Sequence, residues 1–172
     1  EYLSGRFTHR ERLSDLSFKH VEVTDVSGGE TLRRFQWLRG ELAIVDRGYA
    51  NPPGIAWVVD HRADVLVRVN RGSLPLFDRD ATPIDVLRRL RPLRVNAPCE
   101  WKVQVDHVEK GKHRTIKGRL IAVRLPDDKA AEARQRVRRE YGRDTTEEQL
   151  EAASFVALFT TAPPRRLPTE RC

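Results

Sequence analysis

Apolar residues recur along this chain with two periods, and each stretch marks an element. Phe18 to Val26 alternates, with Val21 and Val23 on one face and His20, Glu22 and Thr24 on the other. That alternation predicts a half-buried strand. Residues 1–17, with Arg6, Arg10 and Arg12, are polar and irregular. After Gly28-Gly29, Leu32, Phe35 and Leu38 recur at spacings of three, which predicts an amphipathic helix over 30–39 closed by Gly40. Leu42-Ala43-Ile44-Val45 then runs without a polar break and stops abruptly at Asp46-Arg47-Gly48. A continuous apolar run predicts a strand buried on both faces, as in the middle of a parallel sheet. Asn51 is a good N-cap, Pro52 and Pro53 suit a first helical turn, and Ile55, Val58 and Val59 supply an apolar face ending near Arg62. Val65, Leu66, Val67 and Val69 predict a further strand, interrupted by Arg68. Strand, helix and strand over 42–69 have the length of a βαβ unit.

The second half has a different character. Thr82-Pro83-Ile84-Asp85 predicts a helix start with Thr82 as N-cap, and Leu87 and Leu90 carry its face to Pro92. Trp101, Val103 and Val105 alternate with Lys102, Gln104 and Asp106. With a turn at Lys110-Gly111-Lys112 and a run from Ile116 to Leu125, they predict an antiparallel hairpin. Asp127 or Asp128 starts a helix with Ala130, Ala133, Val137 and Tyr141 on one side and Arg134, Arg138 and Arg139 among its polar positions; Gly142 stops it. Thr145 and Glu148 form a capping box for a short helix, Ser154 to Thr161 predicts a last strand, and Pro163-Pro164 ends it. The expectation is an α/β sheet segment over 18–70, followed by a β-rich segment with one basic helix over 93–162.

Composition narrows the partners. The chain has 172 residues and a formal net charge of +7, and only six of its 32 basic residues are Lys. Arg pairs bidentately with phosphate and guanine, so this surface suits nucleic acid, although codon bias in a GC-rich genome produces the same excess. No run of about 18 apolar residues marks a membrane span, and no signal-peptide pattern opens the chain. The chain has no Met and begins at Glu1, as a fragment or processed product does. Cys99 and Cys172 form no disulfide framework, which makes a reducing cytoplasm the default.

The dinucleotide fingerprint, the Walker loop and the nucleophile elbow are all missing. His107 and His113 flank the hairpin turn, where exposed loop residues are commoner than metal ligands. Asp46 stands out. Open α/β sheets build their sites at the carboxyl ends of strands, and a carboxylate placed there calls for a partner such as a metal ion. The competing reading has Asp46 cap the next turn or pair with Arg47. Arg47 and Tyr49 are candidates to contact DNA phosphates or stack on a base; equally, Arg47 orients Asp46 and Tyr49 packs beside the following helix. Arg68 breaks an apolar strand and calls for a phosphate or an acid. Lys110, Lys112 and Arg114 at the hairpin turn either grip the DNA backbone or form a solvated surface.

These residues also carry a family likeness. Val45-Asp46-Arg47-Gly48-Tyr49-Ala50 is preceded by Val23-Thr24-Asp25-x-x-Gly28-Gly29-Glu30 and followed by Val67-Arg68-Val69. Together with Gly118 to Leu125 and Phe159-Thr160-Thr161, this ordered set resembles the bacterial insertion-sequence transposases of the DDE type, insertion-sequence-four group. The resemblance implies a ribonuclease-H-like core interrupted by a β-rich insertion: a partial catalytic core over 1–92, the insertion over 93–162, and a tail over 163–172 leading to a catalytic helix. It also implies two aspartates and a glutamate holding Mg²⁺ for DNA strand cleavage and transfer. Asp46 falls at the second aspartate; the first is expected before Glu1 and the glutamate after Cys172. Asp25 then belongs to a strand away from the site, and Glu30 is a helix-start acid. DNA (transposon ends and target) is the implied partner, with a homodimer in the parent protein, no membrane, and a bacterial, nucleoid-associated cytoplasmic location. Holding one ligand of three, the chain alone is expected to be inactive. A catalytically dead DNA-binding remnant or regulator is the alternative, and an unrelated α/β phosphoryl-transfer protein that keeps Asp46 is a third reading.

Overall fold

Two apolar runs, Leu42–Val45 (β3) and Asp64–Arg68 (β4), pair in parallel around a crossover helix, Pro52–Asp60 (α1), as the βαβ spacing predicts. The computed structural model describes residues 6–12, 17–24, 31–69 and 72–171. Asn51 caps α1 as expected: its side-chain oxygen accepts from the Gly54 N–H at 2.9 Å. Ile55 and Val58 of α1 and Val65 and Val67 of β4 are all fully buried, so helix and sheet share one core.

The long hairpin forms from Cys99–Glu109 (β5) and Lys112–Arg124 (β6), joined at Lys110-Gly111. Both turn residues have positive φ, as the right-handed twist of a two-residue hairpin loop requires. The last strand, Phe155–Thr160 (β7), lies antiparallel between β4 and β6, and the sheet order is β3-β4-β7-β6-β5. The mixed sheet therefore takes β3 and β4 from one side of position 92 and β5–β7 from the other. Three further helices follow the pattern: Val86–Leu90 (α2), Asp127–Tyr141 (α3), which ends at Gly142 with φ of 56°, and Glu147–Ala152 (α4).

Several expectations fail. Among the described residues β3 is an edge strand, not a central one: Ala43 is buried against the core, but Ile44 is 56% exposed. An unbroken apolar run does not distinguish the two positions, and β7 occupies the central one. Over the described part of the expected helix, residues 31–39, only Leu32–Arg34 makes a 3-10 turn, and Phe35 is extended at φ −100° and ψ 142°. The buried residues there are Leu32, Phe35 and Trp37, while Leu38 is 64% exposed. Successive spacings of three and two fit no helical face. The Trp37 indole N–H instead donates to the Leu32 carbonyl at 3.1 Å, and that of Trp57 to the Phe35 carbonyl at 3.1 Å.

Residues read as irregular near the start form a strand, Arg6–Arg12 (β1), antiparallel to Ser17–Thr24 (β2). This pair is a separate two-stranded sheet. Asp85, not Thr82, caps α2, because Pro83 bridges to Phe77 and Thr82 donates its N–H to Asp78. The capping box of α4 is Thr146 with Gln149, one residue beyond Thr145 and Glu148; the Thr145 hydroxyl donates to the Gly142 carbonyl at 2.8 Å. Among the described residues no helix is long and apolar enough to cross a membrane.

The segment after β7 is tied down by Arg119, which is only 5% exposed. Its guanidinium donates to the Ala162 carbonyl at 3.0 Å, the Leu167 carbonyl at 2.7 Å and Glu100 at 2.8 Å. Buried charge is tolerated here because each of the three guanidinium nitrogens finds an acceptor, one of them the Glu100 carboxylate. At the far end of the hairpin, Arg33 donates to Glu109 at 2.8 Å.

This packing can be tested in two ways. A Cβ added at Gly118 would lie 2.5 Å from the Phe159 ring and 2.7 Å from the Thr160 carbonyl oxygen. Gly118→Ala is expected to destabilise the fold by about 3 kcal/mol, the upper end for overpacking, in a denaturant titration; an unchanged midpoint would refute the close β6–β7 packing. The hydrogen bond from Arg33, its largest influence, holds the Glu109 carboxyl below its ordinary value. A carboxyl depressed on folding stabilises above its unfolded pKa, and that contribution fades as pH falls through the folded value. Arg33→Ala should therefore narrow the stability gap between neutral and acidic pH. An identical acid limb in the variant would count against the pair.

Candidate nucleic-acid interface at the end of β3 and β4

The parallel pair β3–β4 ends at Val45 and Arg68, and both strand ends open onto one cavity of about 730 Å³. The sheet forms one wall, and α2, α3 and α4 form the others. Asp46 leaves β3 in an extended conformation and opens a 3-10 turn, Arg47–Tyr49. Its carboxylate caps nothing in that turn. It does not pair with Arg47 either, because the Arg47 guanidinium reaches across the cavity to Glu140 on α3. Both bland roles for Asp46 are thus unfilled: among the described residues its exposed carboxylate has no hydrogen-bond or ion-pair partner, and it faces the cavity.

Arg68 ends β4 on the same cavity, exposed and without an ion pair among the described residues. Its position at the strand end explains how a charge follows an apolar strand without a buried partner. Arg136 of α3 completes a set of three arginines on the walls, and its Glu132 neighbour is distant at 3.9 Å. Glu140 is matched to Arg47, but the pair is open to water, with the two side chains 40% and 48% exposed. Pairs so exposed are worth little, and a phosphate competes for the arginine.

The remaining sequence candidates lie elsewhere. The Tyr49 ring packs on Phe35 with centroids 6.4 Å apart, against the core, which is the packing alternative for that residue. Lys110, Lys112 and Arg114 sit at the opposite end of the sheet. The register Val45, Val67, Phe159, Leu120 sets the level of the Asp46 end, and Lys112 lies eight residues further back along β6. At about 3.3 Å per residue that is roughly 26 Å. Arg114 pairs with Asp60 at the end of α1. His107 is not a loop residue: it lies buried on β5 with an unbonded Nε2, 3.6 Å from Glu109. His113 is 61% exposed beside Asp106. Asp25 and Glu30 lie outside the described residues.

Arg136 and Glu140 are the cavity residues that the sequence reading missed. Both flank the Ala133–Val137 stripe of α3, and a helical projection places them on the inward border. Arg134, singled out instead, donates to the Ser154 hydroxyl at 2.9 Å.

Magnesium pairs need several carboxylates converging on the cations. Among the described residues no group of three or more His, Cys, Asp or Glu side chains could hold a metal ion, and Asp46 is the single uncommitted carboxylate of the strand end. The described residues therefore do not fit a magnesium pair by themselves. What they do offer is a concave, arginine-lined strand end with one free acid, an arrangement suited to a phosphate backbone.

No protein-family model matches the chain. Curated relatives do. InsL of Escherichia coli strain K12, assigned as the transposase of insertion sequence element IS186A, is 33% identical over 151 residues, 85% of this chain and 41% of its own length. The transposase of insertion sequence element IS421 from Escherichia coli matches with the same identity and coverage. The chain spans about two fifths of the length of these relatives. Over most of its length, the chain is therefore related in sequence to the insertion-sequence transposases.

Proposed function

We propose that this chain forms part of the catalytic region of a DDE-type insertion-sequence transposase of the insertion-sequence-four group, and that the cavity at Asp46 faces DNA. The observation that carries the proposal is the Asp46 carboxylate, without a partner among the described residues, at the end of a parallel strand in a cavity walled by Arg47, Arg68 and Arg136. The names of the relatives supply the substrate class: transposases move DNA. The β3-α1-β4 unit is compatible with a partial ribonuclease-H-like core, in which strand ends hold the reactive acids.

In this reading Asp46 would be one ligand of a magnesium site, and the other acids would have to come from parts of the transposase outside the matched segment. Magnesium, when bound, would activate a water and neutralise charge on the cleaved phosphodiester. The chain's own residues have simpler tasks. Arg68 and Arg136 bind backbone phosphate and fix the strand beside Asp46, while Asp46 itself repels phosphate unless a cation stands between them. The DNA would comprise transposon ends and target, the acting form a homodimer, and the location the bacterial nucleoid. The lack of a metal-holding carboxylate group among the described residues favours a second reading, a DNA-binding remnant or regulator without catalysis.

The first of two measurements separates these readings, and the second tests the DNA interface that both share. In an intact transposase carrying this segment, Asp46→Asn is expected to abolish Mg²⁺-dependent strand cleavage and leave binding of transposon-end DNA nearly intact; cleavage at the parental rate would eliminate the catalytic role. For the 172-residue chain, duplex affinity should fall steeply with salt, and Arg68→Ala should reduce the slope of log K against log salt by roughly 0.9, one phosphate contact. A salt slope untouched by Arg68→Ala would remove this face from the interface.

A further inference from the structure

Helix α1 ends in a Schellman motif: the Arg62 N–H donates to the Val59 carbonyl at 2.9 Å, and the Ala63 N–H to the Val58 carbonyl at 3.2 Å. That motif places Arg62 in the left-handed region, with φ of 57°. Gly is the usual occupant, because any Cβ crowds the following carbonyl there. The hairpin repeats the choice: Lys110 occupies a left-handed turn position, φ 50°, where Asn, Asp or Gly is the low-strain residue. Arg62 lies at the amino-terminal end of β4, opposite Asp46, and Lys110 lies further out on the same side, at the hairpin tip. A strained backbone occupied by a charged side chain points to a use for that side chain.

A cavity of about 450 Å³ lies beside Arg62, in the notch where β6 runs on past the end of β7. Arg62, Arg114 and Lys117 line it, together with Asp64. Asp64 is neutralised by Arg166 and accepts from the Thr161 hydroxyl at 3.1 Å, and Arg114 is matched by Asp60. The exposed side chains of Arg62 and Lys117 make no ion pair among the described residues, so the notch keeps uncompensated positive charge. Lys110 and Lys112 extend that charge along the hairpin tip.

We propose that this notch is a second backbone-phosphate site, in which Arg62 and Lys117, with Arg114 beside them, bind a DNA segment at the end of the sheet opposite Asp46. The inference rests on the reading that the chain acts on DNA.

The test uses the 172-residue chain and a short fluorescent duplex of mixed sequence, with Kd measured between about 50 and 200 mM salt. Arg62→Gly is expected to weaken binding several-fold and to lower the salt slope by roughly 0.9, while its thermal midpoint holds or rises because Gly relieves the left-handed strain. Arg62→Lys should keep the slope. Lys117→Gln should lower the slope by a similar amount without touching a strained position. A parallel drop in thermal midpoint and affinity in Arg62→Gly, with Lys117→Gln at wild-type affinity, would overturn the proposal, because the loss would then be structural. If Arg62→Gly and Lys117→Gln bind like wild type while Arg68→Ala binds weakly, the notch is refuted and the Asp46 interface stands. If the wild-type chain shows no salt-dependent DNA binding, both fall. Inorganic polyphosphate competing as well as duplex DNA at equal phosphate would reassign the notch to free anions and overturn its DNA role.

Discussion

The Phe159 ring fills the space that Gly118 leaves empty, and this contact locks β7 between β4 and β6. Everything that concerns function hangs on that placement. It joins the long hairpin to the βαβ unit in one sheet, pushes β3 to the edge among the described residues, and brings α3 and α4 over the carboxyl ends of β3 and β4. Had β7 paired elsewhere, Asp46 would end a strand with no cavity before it. The buried Arg119 on β6 holds the carbonyls of Ala162 and Leu167, so the same packing also positions the segment carboxyl-terminal to β7.

The charges at the two ends of the sheet are organised differently. At the Asp46 end, an acid without a partner among the described residues stands among three arginines, one of which is ion-paired with Glu140 in an exposed contact. That is a balanced site in which an incoming phosphate changes partners more than it changes net charge. At the notch, the acids are already matched and the surplus is positive. On the proposed reading, the first arrangement would serve a phosphodiester undergoing reaction, and the second would only hold one.

The elements legible in the sequence were those defined by local chemistry. Asn51 announces α1, Lys110-Gly111 announces the hairpin, and Gly142 ends α3, since each acts within a few residues of itself. The strand-end position of Asp46 was legible for the same reason: an acid breaking off an apolar run is visible without knowing the sheet order. Pairing order was not legible. Leu42–Val45 reads alike at an edge or a centre, and β7, distant in the chain, decided which it became. The spacing of Leu32, Phe35 and Leu38 matched a helix, but Trp37 was the residue buried, because its indole N–H found the Leu32 carbonyl. Basic residues were the hardest to assign. Lys112 and Arg136 look equivalent in sequence, and only the register shows one at the notch end and the other on the Asp46 cavity.

An NMR titration of the isotope-labelled chain with duplex DNA tests the central claim most directly, since it reports which backbone amides and guanidinium groups feel the ligand. The expected result is a cluster of shift changes at Asp46 to Gly48, Arg68 and Arg136, on the walls of one cavity. DNA-induced shifts that leave all of these unmoved would contradict it.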